Sequence, residues 1–292
     1  MKDILRRYDI PNTYAKKRGI AVPMEDISEH WIGSIFGGSE AIGANFFERR
    51  ATDEGLLFQK NRPDTGLISD FNALKNPDFT PEEVDPTIVD FYQNTSNYDL
   101  TLRTKWHIPF NGLAKFMGRF YAEPMQQLNI PHPRAKNNNL TSEIQQILDP
   151  QTEQVQNTAW VRTDNDSQKV IYAGDYSMTQ LDYGLNVVRV VFPIPNGNAT
   201  VILRPENQPD GSFKLISEGE AFGDPGFYHV TSEDGIAYAN YLPRLKQAIH
   251  LNKPHDEPDL ATNHDFTLGK KRLLHLEYDM KPKTSSAVKV YP

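Results

Sequence analysis

A succession of short apolar segments separated by turn residues most limits what this chain can fold into. Between residues 140 and 219 the alternation typical of half-buried strands recurs, with Asn, Asp, Gly or Pro between most segments. Asn196-Gly197 and Asp210-Gly211 are dipeptides typical of tight hairpin turns. Such short loops leave no room for crossover helices, so the pattern predicts antiparallel neighbours. The predicted strands cover residues 140–148, 158–163, 169–178, 186–194, 199–204 and 213–219.

Further elements are predicted before this meander. A helix begins after Thr80 or, alternatively, after Asp85, because each residue can cap a helix and is followed by proline. Residues 98–106 alternate between apolar and polar side chains and therefore predict a strand. Residues 110–131 return to helical spacing, which Pro124 interrupts, so two short helices or one kinked helix are expected.

The segment after the meander decides the predicted fold class. Residues 236–251 carry apolar side chains at helical spacing and predict a long helix, and residues 272–280 alternate as a last strand. This order predicts an α+β fold in which a strongly curved antiparallel sheet wraps around the C-terminal helix. A closed β-barrel with peripheral helices is the competing architecture.

The same patterns suggest a division of the chain. Residues 1–80 hold apolar residues only in short bursts, so we expect an irregular N-terminal segment. Residues 81–280 would form the α+β domain, and residues 281–292 a frayed tail.

Two resemblances follow from these segments. The order of a strand, short helices, a meander and a long helix is similar to the helix-grip arrangement of the START and polyketide-cyclase-like group, although here a strand follows the helix. The run VVFPIPNGNATVILRPENQPDGSFKLISEGEAFGDPGFYHV, with TAWVRT and FYQNTSNYDL, resembles segments of bacterial proteins that are known only as uncharacterised. This second resemblance covers roughly residues 90–230 and implies no catalytic residues.

The amino-acid composition excludes several classes of binding partner and site. The net charge of −7 disfavours nucleic acid, whose phosphates reward clustered Lys and Arg. The chain has no cysteine, which excludes disulfides, thiolate nucleophiles and Cys-based metal sites. No apolar run is long enough for a transmembrane helix, so a cytoplasmic location is the default expectation. No motif indicates a cofactor, and the oligomeric state cannot be inferred.

Candidate binding residues lie on the predicted strands. On TAWVRT, Trp160 and Arg162 share one face, and Arg189 lies on an otherwise apolar face of VVRVV. A buried arginine would need a carboxylate from Glu143 or Asp175, or an anionic ligand. A solvent-facing or structural arginine is the simpler interpretation, because buried charges are uncommon. The residues predicted to line a cavity are Trp106, Trp160, Arg162, Tyr176 and Arg189.

Two loops add candidates of other chemistry. In GDPGFY, Asp224 could line a cavity mouth together with the nearby His229, although turn chemistry alone explains the motif. The histidines at 250, 255 and 264 and the acidic residues at 256, 257 and 265 could hold a divalent metal, but their spacing fits no named motif. A solvated loop is therefore the preferred interpretation, and no metal site is predicted.

Three hypotheses follow for function. The first is a soluble protein that binds a small apolar, amphipathic or lipid-like ligand between the sheet and the helix. The second is a hydrolase-like or cyclase-like enzyme that uses His229 or Asp224 as acid or base. The third is a structural or interaction protein whose sheet is filled by its own side chains.

Overall fold

Ten antiparallel strands of this chain close into a barrel. The computed structural model describes residues 13–27, 30–107, 110, 112, 119, 122–131, 138–254 and 259–283. The strands run β1 Ile20–Pro23, β2 Leu57–Lys60, β3 Tyr98–Trp106, β4 Asn138–Leu148, β5 Val155–Asp164, β6 Val170–Gln180, β7 Asn186–Ile194, β8 Gly197–Asn207, β9 Phe213–Ile216, β10 Gly226–Glu233, β11 Ile236–Tyr241, β12 Leu245–Asn252, β13 Leu260–Leu268 and β14 Lys271–Pro282. Residues 13–18 are helical, and the further α-helices are α1 Phe46–Asp53, α2 Pro86–Gln93 and α3 Glu123–Met125.

The ring of the barrel has the order β8-β7-β6-β5-β4-β3-β14-β13-β12-β9, and β9 pairs back onto β8. Strand β8 therefore changes its partner along its length. Its first part, from Gly197 to Ile202, pairs with β10, whereas Arg204 to Asn207 pair with β9. Strands β10, β11 and β1 form a side sheet that continues from β8, and β2 pairs with β4.

The prediction of an α+β, helix-grip-like sheet wrapped around a helix is wrong. Residues 236–251, predicted as that helix, form β11 and most of β12 with Pro243 between them. Strand pairing outweighs the helical spacing here, because both segments find partners in the sheet. Strand β11 pairs with β10, and β12 pairs with β9 and β13. A barrel with peripheral helices, the competing architecture, is nearer to this fold, although the helices of the described part are few and short.

Several predicted segments are confirmed. Strand β7 has the predicted bounds, and the strands over 98–106 and 272–280 are present as β3 and β14. The helix after residue 80 is α2, which Asp85 caps by accepting a hydrogen bond from the Thr87 backbone N–H at 2.8 Å. In the predicted helical region 110–131, most of residues 110–121 lie outside the described residues, and the remainder holds the short helix α3. Residues 284–292 of the tail also lie outside the described residues.

Aromatic rings fill one end of the barrel, which we call the aromatic end. Helix α2 and the 3-10 turn Phe71–Leu74 contribute rings that meet Phe213 of β9. The Phe213 ring lies 5.3 Å from Phe71 and 5.6 Å from Tyr92. The aromatic end consists of Phe71, Phe79, Phe91, Tyr92 and Phe213, all nearly inaccessible to solvent.

Described residues between Val22 and Phe58 cover part of the outer face of the barrel. Helix α1 packs its Phe47 against a cluster that includes Val161 and Val191 on the outside of the wall. Trp31 packs in a second cluster, which contains Ile202 of β8 and residues of the side sheet. Because both faces of these strands are buried, their sequences are apolar almost throughout instead of strictly alternating.

Candidate functional site

The opposite end of the barrel surrounds a partly open cavity of about 310 Å³, and we call this the cavity end. Side chains of the inner face surround it, mostly aliphatic and aromatic. Protein interiors are otherwise close-packed, with few voids larger than a water molecule. The apolar lining includes Trp106, Leu128, Ile130, Val190, Phe192, Ala199, Val201, Leu203, Phe227, Leu242, Leu245, Ile249, Phe266, Leu273 and Leu274.

Arg162 is a charged side chain in this apolar lining, and only 2% of its surface is exposed. Its guanidinium lies 4.0 Å from the ring centroid of Trp160 and 4.6 Å from that of Tyr172. It donates two long hydrogen bonds of 3.3 Å, one to the Tyr278 hydroxyl and one to the Tyr176 hydroxyl. Its buried Nε has no hydrogen-bond partner. Ring faces and neutral oxygens thus surround the charge.

The groups around Arg162 are neutral. Burial raises the pKa of Tyr172, Tyr176 and Tyr278, so all three keep their protons at neutral pH. Burial and the Arg162 charge lower the pKa of His264 to about 3, which keeps its ring uncharged. Burial acts to lower the pKa of Arg162, but an arginine pKa lies so far above neutrality that the guanidinium keeps its charge.

No carboxylate among the described residues lines the cavity or forms an ion pair with Arg162. Glu143 faces outward and pairs with Lys60 at 2.6 Å. Asp164, two residues beyond Arg162, accepts hydrogen bonds from the backbone and hydroxyl of Ser167. The buried positive charge therefore has no protein counter-charge in the described part of the chain.

Two further polar groups reach the cavity. His229 lines it from β10, and its buried Nε2 has no hydrogen-bond partner. Burial lowers the pKa of His229, so this ring is also neutral near pH 7. Gln247 of β12 places its side-chain amide 3.3 Å from Nδ1 of His264, and both line the same cavity.

The structure separates the residues predicted from sequence into two groups. Trp106, Arg162, Tyr176 and His229 line the cavity, and Trp160 lies beneath the Arg162 guanidinium. Arg189 and Asp224 lie elsewhere. Whether the first group binds a ligand remains a prediction.

Arg189 faces the outside of the wall. Its Nε donates to the Ser177 hydroxyl at 2.9 Å, and its Nη1 donates to the His30 carbonyl at 3.2 Å. Asp175 lies on the same outer face, where burial raises the pKa of its carboxyl to about 7. Arg189 therefore cannot bind an anion in the cavity, and Asp175 cannot form an ion pair with Arg162 there.

Asp224 acts within its own loop. Its carboxylate accepts hydrogen bonds from the backbone N–H groups of Glu220 and Ala221, both at 2.9 Å. It is absent from the cavity lining. The turn interpretation of GDPGFY accounts for these contacts.

The histidines considered for a metal lie on both faces of the wall. His264 points inward, whereas His250 contacts Ser212 on the outer side at 2.8 Å. Residues 255–257 lie outside the described residues. Among the residues that the structure describes, no group of three or more His, Asp or Glu side chains could hold a metal ion.

Three residues near Arg162 were not predicted from the sequence: Gln247, His264 and Tyr278. Gln247 lies on β12, which was predicted as helix; His264 lies on β13, for which no strand was predicted; and Tyr278 lies on the predicted strand β14. One signal could have revealed the hairpin of β10 and β11: Asp234-Gly235, which has a positive φ at both residues, as a two-residue turn of this type requires.

A second, larger depression of about 550 Å³ lies on the surface and is open to solvent. Mostly polar groups line it, from residues 64–69, 93–94 and 155–158. Tyr176 borders both this groove and the barrel cavity. The cavity lining is mostly apolar with a few polar groups, which is typical of ligand sites, so the cavity is the stronger candidate site.

Comparison with known proteins gives one informative similarity. No family model matches the chain, and no solved structure matches it significantly. A Bacillus subtilis (strain 168) protein described as uncharacterized membrane protein YndJ is 25% identical over 240 residues, which is 81% of this chain and 41% of that protein. The chain thus spans about two fifths of that relative. This agrees with the resemblance to uncharacterised bacterial proteins, and nothing supports the helix-grip resemblance.

In the described part of the chain, every helix is too short or too polar to cross a lipid bilayer.

Proposed function

We propose that this protein binds one small, mainly apolar molecule inside the cavity end of its barrel. The supporting observation is the cavity of about 310 Å³ in an otherwise packed interior, at the lower end of the range typical of ligand sites, about 300–1,000 Å³. Apolar cavities of half that volume stay dry and take up small apolar molecules. This replaces the site that was expected between a sheet and a helix, since strands surround the cavity.

Binding can be tested with a neutral, environment-sensitive dye such as N-phenyl-1-naphthylamine. We expect fluorescence enhancement at a stoichiometry of one, and displacement by small apolar molecules. Native mass spectrometry of gently purified protein should show a small co-purifying mass. Failure of the dye to bind, together with protein that carries no guest in repeated preparations, would remove the proposal.

A matched pair of variants assigns any binding to the cavity. Ala199→Leu adds volume to the cavity lining, whereas Ala261→Leu adds the same volume to the outer face of β13. We expect the first substitution to weaken dye binding by about tenfold or more and the second to leave it unchanged. Equal effects would place the dye on the outside of the barrel.

A structural or interaction protein is the second candidate. The observation that favours it is the aromatic end, where buried rings already fill the barrel. Its sharpest form, with residues 1–80 as a separable partner-binding part, conflicts with the burial of Phe71 and Phe79 against Phe213. Deletion of residues 1–80 should therefore unfold the barrel. Acid–base chemistry has less support, because the described cavity lining has no carboxylate to pair with His229.

A further inference from the structure

Within the proposed binding function, on which this step rests, we propose that the guest is a small monocarboxylate with an apolar body and that Arg162 binds its carboxylate. Arg162 carries the one full charge in the described lining, and a guest with one negative charge would neutralise it.

The first step is the energetic position of Arg162. A buried, unpaired charge is strongly unfavourable, and proteins normally place a carboxylate beside it. Here the guanidinium has only ring faces and two hydroxyl oxygens at 3.3 Å, while Nε is unpartnered. The described lining thus holds one positive charge and no carboxylate.

Second, an anion in the cavity would meet Arg162 and Tyr176, which both line it. The Tyr176 hydroxyl accepts a hydrogen bond from Arg162 through its oxygen, so its own O–H stays available. Burial raises the pKa of this hydroxyl, so it remains protonated. Tyr278 contacts the guanidinium from outside the lining, and no carboxylate of the described lining competes for these donors. A carboxylate can accept several such hydrogen bonds at once.

The third step limits the charge and size of the guest. One arginine neutralises one negative charge, whereas a phosphate monoester carries about −1.5 to −2 at pH 7 and would leave an excess. A neutral guest would leave the arginine unpaired, and a cation would be repelled. The remaining lining is almost entirely apolar, which suits a hydrocarbon body of modest length.

The test compares octanoate, 1-octanol and octyl phosphate, which share one hydrocarbon chain and differ in the head group. Binding is measured by displacement of the neutral dye and by calorimetry at pH 7. We expect the wild-type protein to bind octanoate at least about tenfold more tightly than 1-octanol, with octyl phosphate weaker than octanoate.

Three variants assign this preference. Arg162→Met should weaken octanoate binding by about 30-fold or more and leave 1-octanol binding similar or tighter. Arg162→Lys keeps the charge and should retain part of the preference. Arg103→Met removes a charge from the exposed outer face and should behave as wild type.

A thermal readout separates charge recognition from a merely structural role. Without ligand, Arg162→Met should have an equal or higher Tm, because it removes an uncompensated buried charge. A large loss of Tm in this variant would mean that the arginine serves packing, and would overturn the inference.

The outcomes also separate the two proposals. Equal binding of octanoate and 1-octanol to the wild-type protein would overturn the carboxylate inference and leave ligand binding intact. Tighter binding of octyl phosphate would replace the carboxylate with a phosphate. Failure of all three probes, and of the dye, would remove the proposed function and this inference together.

Discussion

At the aromatic end, five rings from α2, β9 and the neighbouring turns fill the barrel, whereas at the cavity end the same wall surrounds about 310 Å³ of space. Both ends are built from strands whose inner faces are apolar. The difference lies in what the connecting segments contribute, since residues 71–92 insert large side chains at one end only. Stability is therefore expected to concentrate at the aromatic end, and specificity at the cavity end.

The largest expected effect comes from removing a ring at each end. Phe213→Ala should lower the free energy of unfolding by about 3–5 kcal/mol, because the ring is fully buried among other rings. Phe266→Ala, beside the cavity, should lower it by less than about 2 kcal/mol, since its ring already borders unfilled space. Urea unfolding of both variants checks this. Equal losses would mean that the two ends are packed alike.

The next largest effect is the pH dependence of the free energy of unfolding, which should come from His264 at the cavity end. His264 has a folded pKa of about 3 against an ordinary value of 6.5, so the folded state binds fewer protons than the unfolded state in between. Its contribution is complete above pH 6.5 and is lost as the pH falls toward 3. Relative to His264→Gln, the wild-type protein should lose about 3 kcal/mol between pH 7 and pH 4.

The measurement is the difference between the two unfolding free energies at each pH. Asp175, whose pKa is raised to about 7, has the opposite pH dependence and cancels in this difference. At the aromatic end the titratable ring is Tyr92, and Tyr98 lies beside Phe91; burial raises the pKa of both hydroxyls, far from this acid range. A difference that does not change with pH would show that His264 is solvated.

Larger side chains should have opposite effects on stability at the two ends. Leu251→Phe, near the aromatic end, should destabilise the protein by about 1–3 kcal/mol, because a fully packed site must distort. Ala199→Leu, at the cavity end, should stabilise it by about 0.5–2 kcal/mol, because it fills empty space. Thermal unfolding measures both. Destabilisation by Ala199→Leu would mean that the cavity is smaller than described.

The smallest expected effect concerns the cap of α2. Asp85→Ala removes the side-chain acceptor of the Thr87 N–H and should cost about 1 kcal/mol. Octanoate binding at the distant cavity should not change in this variant. A parallel loss of binding would show that the two ends are coupled and would weaken the comparison between them.

Local patterns predicted much of the barrel wall from the sequence. Alternation and turn dipeptides placed β3 to β9 because these signals extend over only a few neighbouring residues. They failed at 236–251, where apolar spacing fits a helix as well as two strands and where the pairing partners decide.

The site could be predicted only in part, for a related reason. Trp160 and Arg162 lie two residues apart on one strand, so alternation alone places them on one face. The contact of Arg162 with Tyr278 joins residues 116 positions apart and requires knowledge of how the barrel closes. Register also decides that Arg189 faces outward while Arg162 faces inward, and one sequence does not reveal it.

The change of pairing partner along β8 affects where a small molecule could cross the barrel wall. Where β8 leaves β9 and joins β10, no strand ladder in the described chain links β10 to β12, and rings such as Phe227 and Phe266, 6.5 Å apart, close the gap. Side chains rotate on fast timescales, whereas parting paired strands breaks several backbone hydrogen bonds. For the guest proposed above, entry through this seam would require rotation of these aromatic side chains and would leave the paired strands intact.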